Sequence, residues 1–211
     1  MKKIKRSVSV EKNILYKQIG IRSHGKGIFY KPEVTGEELG NKAVFWVEPD
    51  CFIVNIVFAW ELAVAKTTTN EVGMIASHRF PMYSPIEGKL DLNFILYFFK
   101  SPYGKYLLNL ASPGGAGRNK TLGQENFLDL DIKIPKSLES QQKNSNIIAT
   151  WDKAIELKGK LIEYKKLRIN GLKQILLTSK KKHPKFDGKW EDGICSISSG
   201  KLDKTFAKFY Q

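Results

Sequence analysis

Only two cysteines and three histidines occur in the 211 residues of this chain. Cys51 and Cys195 lie far apart without a C-x-x-C partner, which excludes a disulfide framework and a cysteine-based zinc site. His24, His78 and His183 have no metal-ligand spacing, so no metal is expected. Acidic residues are scarce too, with 21 Asp and Glu against 35 Lys and Arg. No uncharged apolar run approaches the ~18 residues needed to span a bilayer, so no membrane partner is expected. The basic start MKKIKRSVSVEKN lacks an apolar stretch behind it, which excludes a secretory signal and leaves the cytoplasm as the expected compartment.

What is present is a strongly basic chain that can still build a core. Hydrophobic residues make up 42% of it, and the formal net charge is +14. A charge of this size repels itself and is best matched by a polyanion, nucleic acid before an anionic membrane. The length suits one ordinary domain with an extension, or two small domains.

Residues 1 to about 136 read as mixed α and β. GIFY (27–30), AVFWVE (43–48) and CFIVNIVFAW (51–60) are β-branched and aromatic, with turn residues between them. HRFPMYSP (78–85) reads as an edge strand, because its prolines cannot donate to a ladder on both sides. DLNFILYFFKSPYG predicts a helix capped by Asp91 and ending before Ser101-Pro102, with a second helix from Tyr103 to Leu110. LDLDIKIP (128–135) alternates and predicts a last strand.

From about Gln141 the period changes. Ile148, Ile155, Ile162, Ile169 and Leu176 recur every seven residues, and Ile147, Ala154, Leu161 and Ile175 widen the stripe. Trp151 and Leu172 occupy the inner positions that Lys158 and Lys165 take elsewhere, and Gly159 and Gly171 lower helix propensity. A stripe sustained over these heptads predicts helix-on-helix packing, since ~35 residues of helix reach ~50 Å, beyond the cover of a small domain. The alternative is a helix lying along its own domain. TSKKKHPKFDGKWEDG then reads as a basic linker, and the final stretch as a tail or the opening of a further unit.

Three kinds of chemistry can be tested on these residues. SPGGAGRNKTLGQ (112–124) approaches a phosphate-binding loop, but Asn119 stands where the second glycine belongs and a helix precedes it instead of a buried strand. Its Arg118, Asn119, Lys120 and Thr121 suit DNA instead: Arg and Asn read purine edges, Lys and Thr hold phosphate. They suit a solvated surface loop equally well. Pro49-Asp50 with Glu61 begins a metal-nuclease pattern, but Ala63 stands where its lysine is needed and Asp50 fits a turn between strands. The Asn/Asp-Pro-Pro-aromatic signature of base methylation is absent. IRSHGKGIF (21–29) places Arg22, Ser23, His24 and Lys26 around two glycines, and GMIASHRF (73–80) adds His78 and Arg79. Three basic loops on one small domain make a candidate DNA-reading face. No catalytic residue set and no cofactor site emerge.

IGIRSHGKGIF, VEPDCFIVNIVFAWELAVA and MIASHRFPMY, in this order, resemble the recognition domain of type I restriction–modification specificity subunits. NKTLGQENFLDLDIKIPKSLESQQKNSNIIATWDKAIELKGKLIEYKKL is similar to the passage from that domain into the family's spacer helix. IPKSLESQQ matches the family's IPLPPLEEQ only in part. LKQILLTSKKKHPKFDGKW resembles the motif that closes the helix and introduces the next half.

The resemblance implies an α+β fold: a small mixed α/β target-recognition domain over 1–138, then a spacer helix over 139–179 that pairs as an antiparallel coiled coil. Residues 180–211 would be a basic linker and the start of a second half. It implies a non-catalytic subunit that reads one half of a bipartite site in double-stranded DNA. A methyltransferase subunit and, through the complex, a restriction subunit would be its partners. Full subunits carry two recognition domains, so the chain corresponds to half of one: a shortened product, or a natural half-length form pairing with itself or another half. The helix would pair through Ile148, Trp151, Ile155, Ile162, Ile169, Leu172 and Leu176. A basic coiled-coil adaptor or decoy without sequence reading is the competing expectation, and a degenerate nucleic-acid enzyme the third.

Overall fold

The computed structural model describes residues 1–115 and 120–177. The chain divides into two units, Met1–Lys153 and Ala154–Gln211. Arg118, Asn119, Cys195, His183, the last two residues expected in the helix and the expected tail over 180–211 lie outside the described residues.

The first unit is built from very short strands. In chain order they are β1 (Lys2–Ile4), β2 (Leu15–Tyr16), β3 (Ile19–Ile21), β4 (Ile28–Tyr30), β5 (Val34–Thr35), the one-turn helix α1 (Gly36–Leu39), β6 (Val44–Trp46), β7 (Phe52–Val54), β8 (Val64–Lys66), β9 (Ile75–Ser77) and β10 (Met82–Ser84). Four of them form an antiparallel sheet in the order β1-β10-β7-β8, and the rest pair as β2–β5, β3–β4 and β6–β9. The central strand β7 is buried on both faces, and its alternation divides the core. Phe52 and Val54 join one cluster, Ile53 joins a second with Ile19, Ala65 and Met82, and a third gathers Tyr16, Leu39, Val44 and Ile75.

Helices cover the Phe52 side. They are α2 (Leu92–Lys100), α3 (Pro102–Leu110) and α4 (Gln124–Leu128). The rings of Phe52, Phe99 and Phe127 meet with centroids 5.3–5.9 Å apart, and Tyr83 lies 5.0 Å from Phe127. Asp91 caps α2 by accepting the Phe94 N–H at 2.7 Å, as its sequence position predicts. The corner into α3 turns on Ser101, whose hydroxyl donates to Phe98 O and accepts the Gly104 N–H. Gly104 is obligatory there, because a Cβ would come within 2.2 Å of the Phe98 carbonyl oxygen.

Three expected strands differ from the fold. Only Phe52–Val54 of 51–60 is extended; Asn55 accepts the Val57 N–H with its side chain, a 3-10 turn covers Ala59–Glu61, and Leu62 turns left-handed at φ 62°. The segment 78–85 contributes β10, which is central and not an edge. Its prolines, Pro81 and Pro85, flank the ladder and so remove no bond from it. No strand forms over 128–135: Leu128 closes α4, and Leu130 and Ile132 pack against the first cluster without a ladder partner.

The long helix α5 runs Leu138–Leu177. Its first turns are locked to the first unit by a buried polar network. Gln141 is fully buried: its side-chain oxygen accepts the Asp91 N–H at 2.9 Å, and its amide donates to Lys89 O and Pro135 O at 3.0 and 2.8 Å. Ser145 donates to the same Asp91 carboxylate at 3.1 Å, so one aspartate caps α2 and receives α5. In the second unit, Ile155, Ile162, Ile169, Leu172 and Leu176 are 42–66% exposed, and in the first unit Trp151 is 68% exposed. The stripe forms on one helix, and among the described residues nothing covers it.

Replacing Gln141 by Leu strands the Asp91 N–H and two carbonyls in a buried place. Urea unfolding is expected to show a loss of about 1–3 kcal/mol; a loss below ~0.5 kcal/mol contradicts the network's role.

Candidate nucleic-acid interface

The first basic loop, residues 22–27, is the turn of the β3–β4 hairpin, closed by Arg22 N–H to Gly27 O at 3.0 Å. His24, Gly25 and Gly27 all have positive φ, at 61°, 65° and 79°. The two glycines adopt this at no steric cost, whereas His24 is held there. Its N–H donates to Glu61 O at 2.7 Å and the Gly25 N–H to Leu62 O at 2.8 Å. Ser23 donates to the Glu61 carboxylate at 2.9 Å. The Arg22 guanidinium lies 5.1 Å from the centre of the Phe29 ring, a cation–π contact that steadies it while it remains exposed. His24 and Lys26 are also exposed, and Ser23 is half-buried.

The base of the same hairpin is held separately. The Tyr30 phenol donates to Glu71 at 2.6 Å. Glu71 also accepts from the Thr68 N–H and hydroxyl at 2.7 and 2.8 Å. Burial pushes the Glu71 carboxyl up, but the hydrogen bonds from Tyr30 and Thr68 outweigh it and hold its pKa below the ordinary value of 4.5.

The second loop carries His78 and Arg79 between β9 and β10, both exposed. Its backbone is tied by His78 N–H to Ala43 O, and Arg79 O accepts the Ile56 N–H at 3.0 Å. The third loop returns at Lys120, whose ammonium donates to Asn109 at 2.8 Å, and Thr121 is exposed beside it. Leu122 N–H then donates to Ile56 O at 2.8 Å. Ile56 thus holds the second loop with its N–H and the third with its C=O. Five residues on, Glu61 and Leu62 hold the first. One segment, 55–62, anchors all three loops.

The competing chemistries have no matching geometry among the described residues. Glu61 accepts from Ser23 and does not stand in an acidic cluster, and no group of three or more His, Cys, Asp or Glu is arranged to hold a metal. Asp50 sits in a left-handed turn position at φ 51°, its N–H bonded to Thr67 O. Burial, with Glu48 and Asp50 adding to it, pushes the Cys51 thiol up to about 11, so it is protonated and a poor nucleophile at neutral pH. No helix among the described residues is long and apolar enough to cross a membrane. Sequence reasoning found the loops but missed their anchors, Ile56, Glu61 and Leu62.

A family model described as type I restriction modification DNA specificity domain matches residues 12–167. Among solved structures, the HsdS subunit from Thermoanaerobacter tengcongensis is similar with a TM-score of 0.60 and 16% identity, over 83% of this chain and 45% of that one. A chain from a structure of the type I R-M system, concerned with its complex assembly and conformational transition, gives a TM-score of 0.59 and 16% identity over 90% and 51%. This chain therefore spans about half the length of the solved proteins it matches. No curated protein sequence matches significantly.

The Glu71 network predicts an acid-sensitive hairpin. A carboxyl whose folded pKa is depressed contributes stability that is complete above its unfolded value, near 4.5, and is lost as pH falls through the folded value. Glu71→Gln is expected to make the unfolding free energy fall less steeply with acid below that pH. An unchanged slope contradicts the assignment.

Proposed function

Because the chain belongs to the type I restriction modification DNA specificity domain family, we propose that its loop-bearing unit reads one half of a bipartite DNA target. In this reading residues 1–138 form the reading domain, 139–179 the helix that sets the distance between halves, and 180–211 the opening of a second half. The chain directs a methyltransferase subunit to the site, and through the complex a restriction subunit. It performs no chemistry and carries no cofactor; the methyl donor and the catalytic pocket belong to the methyltransferase subunit.

The observation that carries this reading is the common anchorage of three basic loops on residues 55–62. A reader of base edges has to hold separate side chains at a set spacing, and loops pinned to one segment keep that spacing. Arg22 and Arg79 are the readers among the described residues, and Arg118 and Asn119 of the third loop join them in this reading. Ser23, His24 and His78 border the face, and Lys26, Lys120 and Thr121 hold phosphates. Lys120 would exchange Asn109 for a phosphate oxygen on binding.

The exposed stripe on α5 supports the second element. A partner helix from another copy, or from another half-subunit, would cover Ile148, Trp151, Ile155, Ile162, Ile169, Leu172 and Leu176. A two-fold pair is self-complementary and closes. Burying one such side chain is worth about 1.5–3 kcal/mol, so the stripe offsets association costs of several kcal/mol.

Two experiments test the reading. The chain is mixed with a randomised duplex library, with and without a methyltransferase subunit, and retained DNA is sequenced. A gapped motif of two short blocks is expected; retention without any enriched motif supports the basic adaptor instead. Ile162→Asp is expected to shift the sedimenting species from dimer to monomer at micromolar concentration. A variant that sediments like the unmodified chain contradicts the stripe as the pairing surface.

A further inference from the structure

Two left-handed turns are bonded to each other at the first basic loop. Among the described residues, the non-glycine positions with positive φ are His24, Asp50 and Leu62. His24 and Leu62, at 61° and 62°, lie in the two facing turns: Glu61 O accepts the His24 N–H at 2.7 Å, and Leu62 O accepts the Gly25 N–H at 2.8 Å. A residue persists in this conformation only where its surroundings over-determine it, and such strain gathers at functional sites. The 61–62 turn is the firm side. It is closed by Leu62 N–H to Ala59 O, and Ala59 is fully buried in the first cluster. The 22–27 turn exposes Arg22, His24 and Lys26 and takes its conformation from that firm side.

The two backbone bonds use carbonyls that any residues at 61 and 62 would supply. A third bond is specific to the side chains. Ser23 donates its hydroxyl to the Glu61 carboxylate at 2.9 Å, and both residues are half-buried. The β3–β4 hairpin, 19–30, contains Arg22 and Lys26 and no acid, so Glu61 brings negative charge to it from outside. A carboxylate beside a face that meets phosphates opposes binding, so its place there requires a compensating role. The Arg22 guanidinium lies over the Phe29 ring, 5.1 Å from its centre. That ring lies across Gly20 so closely that a Cβ there would come within 2.4 Å of it. Arg22 is therefore directed from two ends, by Phe29 at its guanidinium and by the clamp on Ser23 at the next residue. A fork that reads a base edge through two bonds needs both its position and its plane fixed, and a ring face alone lets it slide.

We propose that Glu61 is a positioning residue for sequence reading: through Ser23, its carboxylate fixes the direction in which Arg22 approaches the base edges, and it does not itself touch the DNA. The inference rests on the DNA-reading function above. It adds a residue outside the basic loops on which selectivity at one base pair depends.

The test starts from the motif that the full chain enriches from the randomised duplex library. Affinity for that duplex, and for duplexes altered at one motif position at a time, is measured by fluorescence anisotropy. Arg22→Ala is expected to abolish discrimination at one base pair. Glu61→Ala and Ser23→Ala are each expected to lower discrimination at that same base pair about tenfold, within the scale of one bidentate contact, and to leave the other positions intact. The double variant is expected to be no worse than either single one, because both remove the same bond. Glu61→Gln keeps an acceptor for Ser23 and is expected to retain the motif. A loss spread equally over all positions overturns the positioning role, as do losses that add in the double variant. A changed base preference in Glu61→Ala with Ser23→Ala unaffected would mean that Glu61 reads a base directly. Where Glu61→Ala does not fold, Ser23→Ala decides alone, and its full retention of discrimination overturns the proposal. Arg22→Ala without a position-specific loss overturns it as well. An unmodified chain that enriches no motif overturns the DNA-reading function itself, a result distinct from all of these.

Discussion

Ile56 gives both of its backbone hydrogen-bonding groups to other loops, its N–H to Arg79 O and its C=O to Leu122 N–H. In a continued strand these groups would pair with neighbouring strands. Here β7 ends at Val54, and the freed groups organise the surface instead. The turn that follows brings the Glu61 and Leu62 carbonyls to His24 and Gly25, fixing the hairpin turn in its left-handed conformation. Everything proposed for DNA reading depends on this short segment, because it converts separate basic loops into one set with a defined spacing.

The long helix depends on a different constraint, the burial of a polar side chain. Gln141 leaves no side-chain hydrogen-bonding group unpaired, and Asp91 serves α2 and Ser145 with one carboxylate. Such a network tolerates little change, since a half-satisfied one costs more than an apolar contact. Farther along, the helix inverts the pattern: its apolar residues are exposed and its surface ion pairs, such as Glu156–Lys160, are helix-local and worth only tenths of a kcal/mol. Among the described residues, the beginning of α5 is satisfied and its apolar stripe is not.

Much of the framework was legible because it is written in local chemistry. Asp91, Ser101 and Pro102 mark helix ends by side-chain capping and ring geometry, and the seven-residue period marks α5. The α+β class and the long helix follow from those signals. The run 51–60 misled because it is apolar throughout, and nothing in Leu62 announces a left-handed residue. The prolines at 81 and 85 predicted an edge strand, yet they bracket a central one. Alternation over 128–135 expressed packing of Leu130 and Ile132 without a strand to pair with. For the site, basic and glycine-rich loops stood out by composition. Their anchors did not, because backbone carbonyls of Ile56, Glu61 and Leu62 carry no residue-type signature.

The central claim, that residues 55–62 hold the three loops together, is tested most directly by amide hydrogen exchange on the full chain. The N–H groups of His24, Gly25, Ile56 and Leu122 are expected to exchange slowly and to lose protection together as denaturant is added. Rapid exchange at His24, Gly25 and Leu122 while Ile56 stays protected would mean that the loops move independently, and the shared anchorage would be wrong.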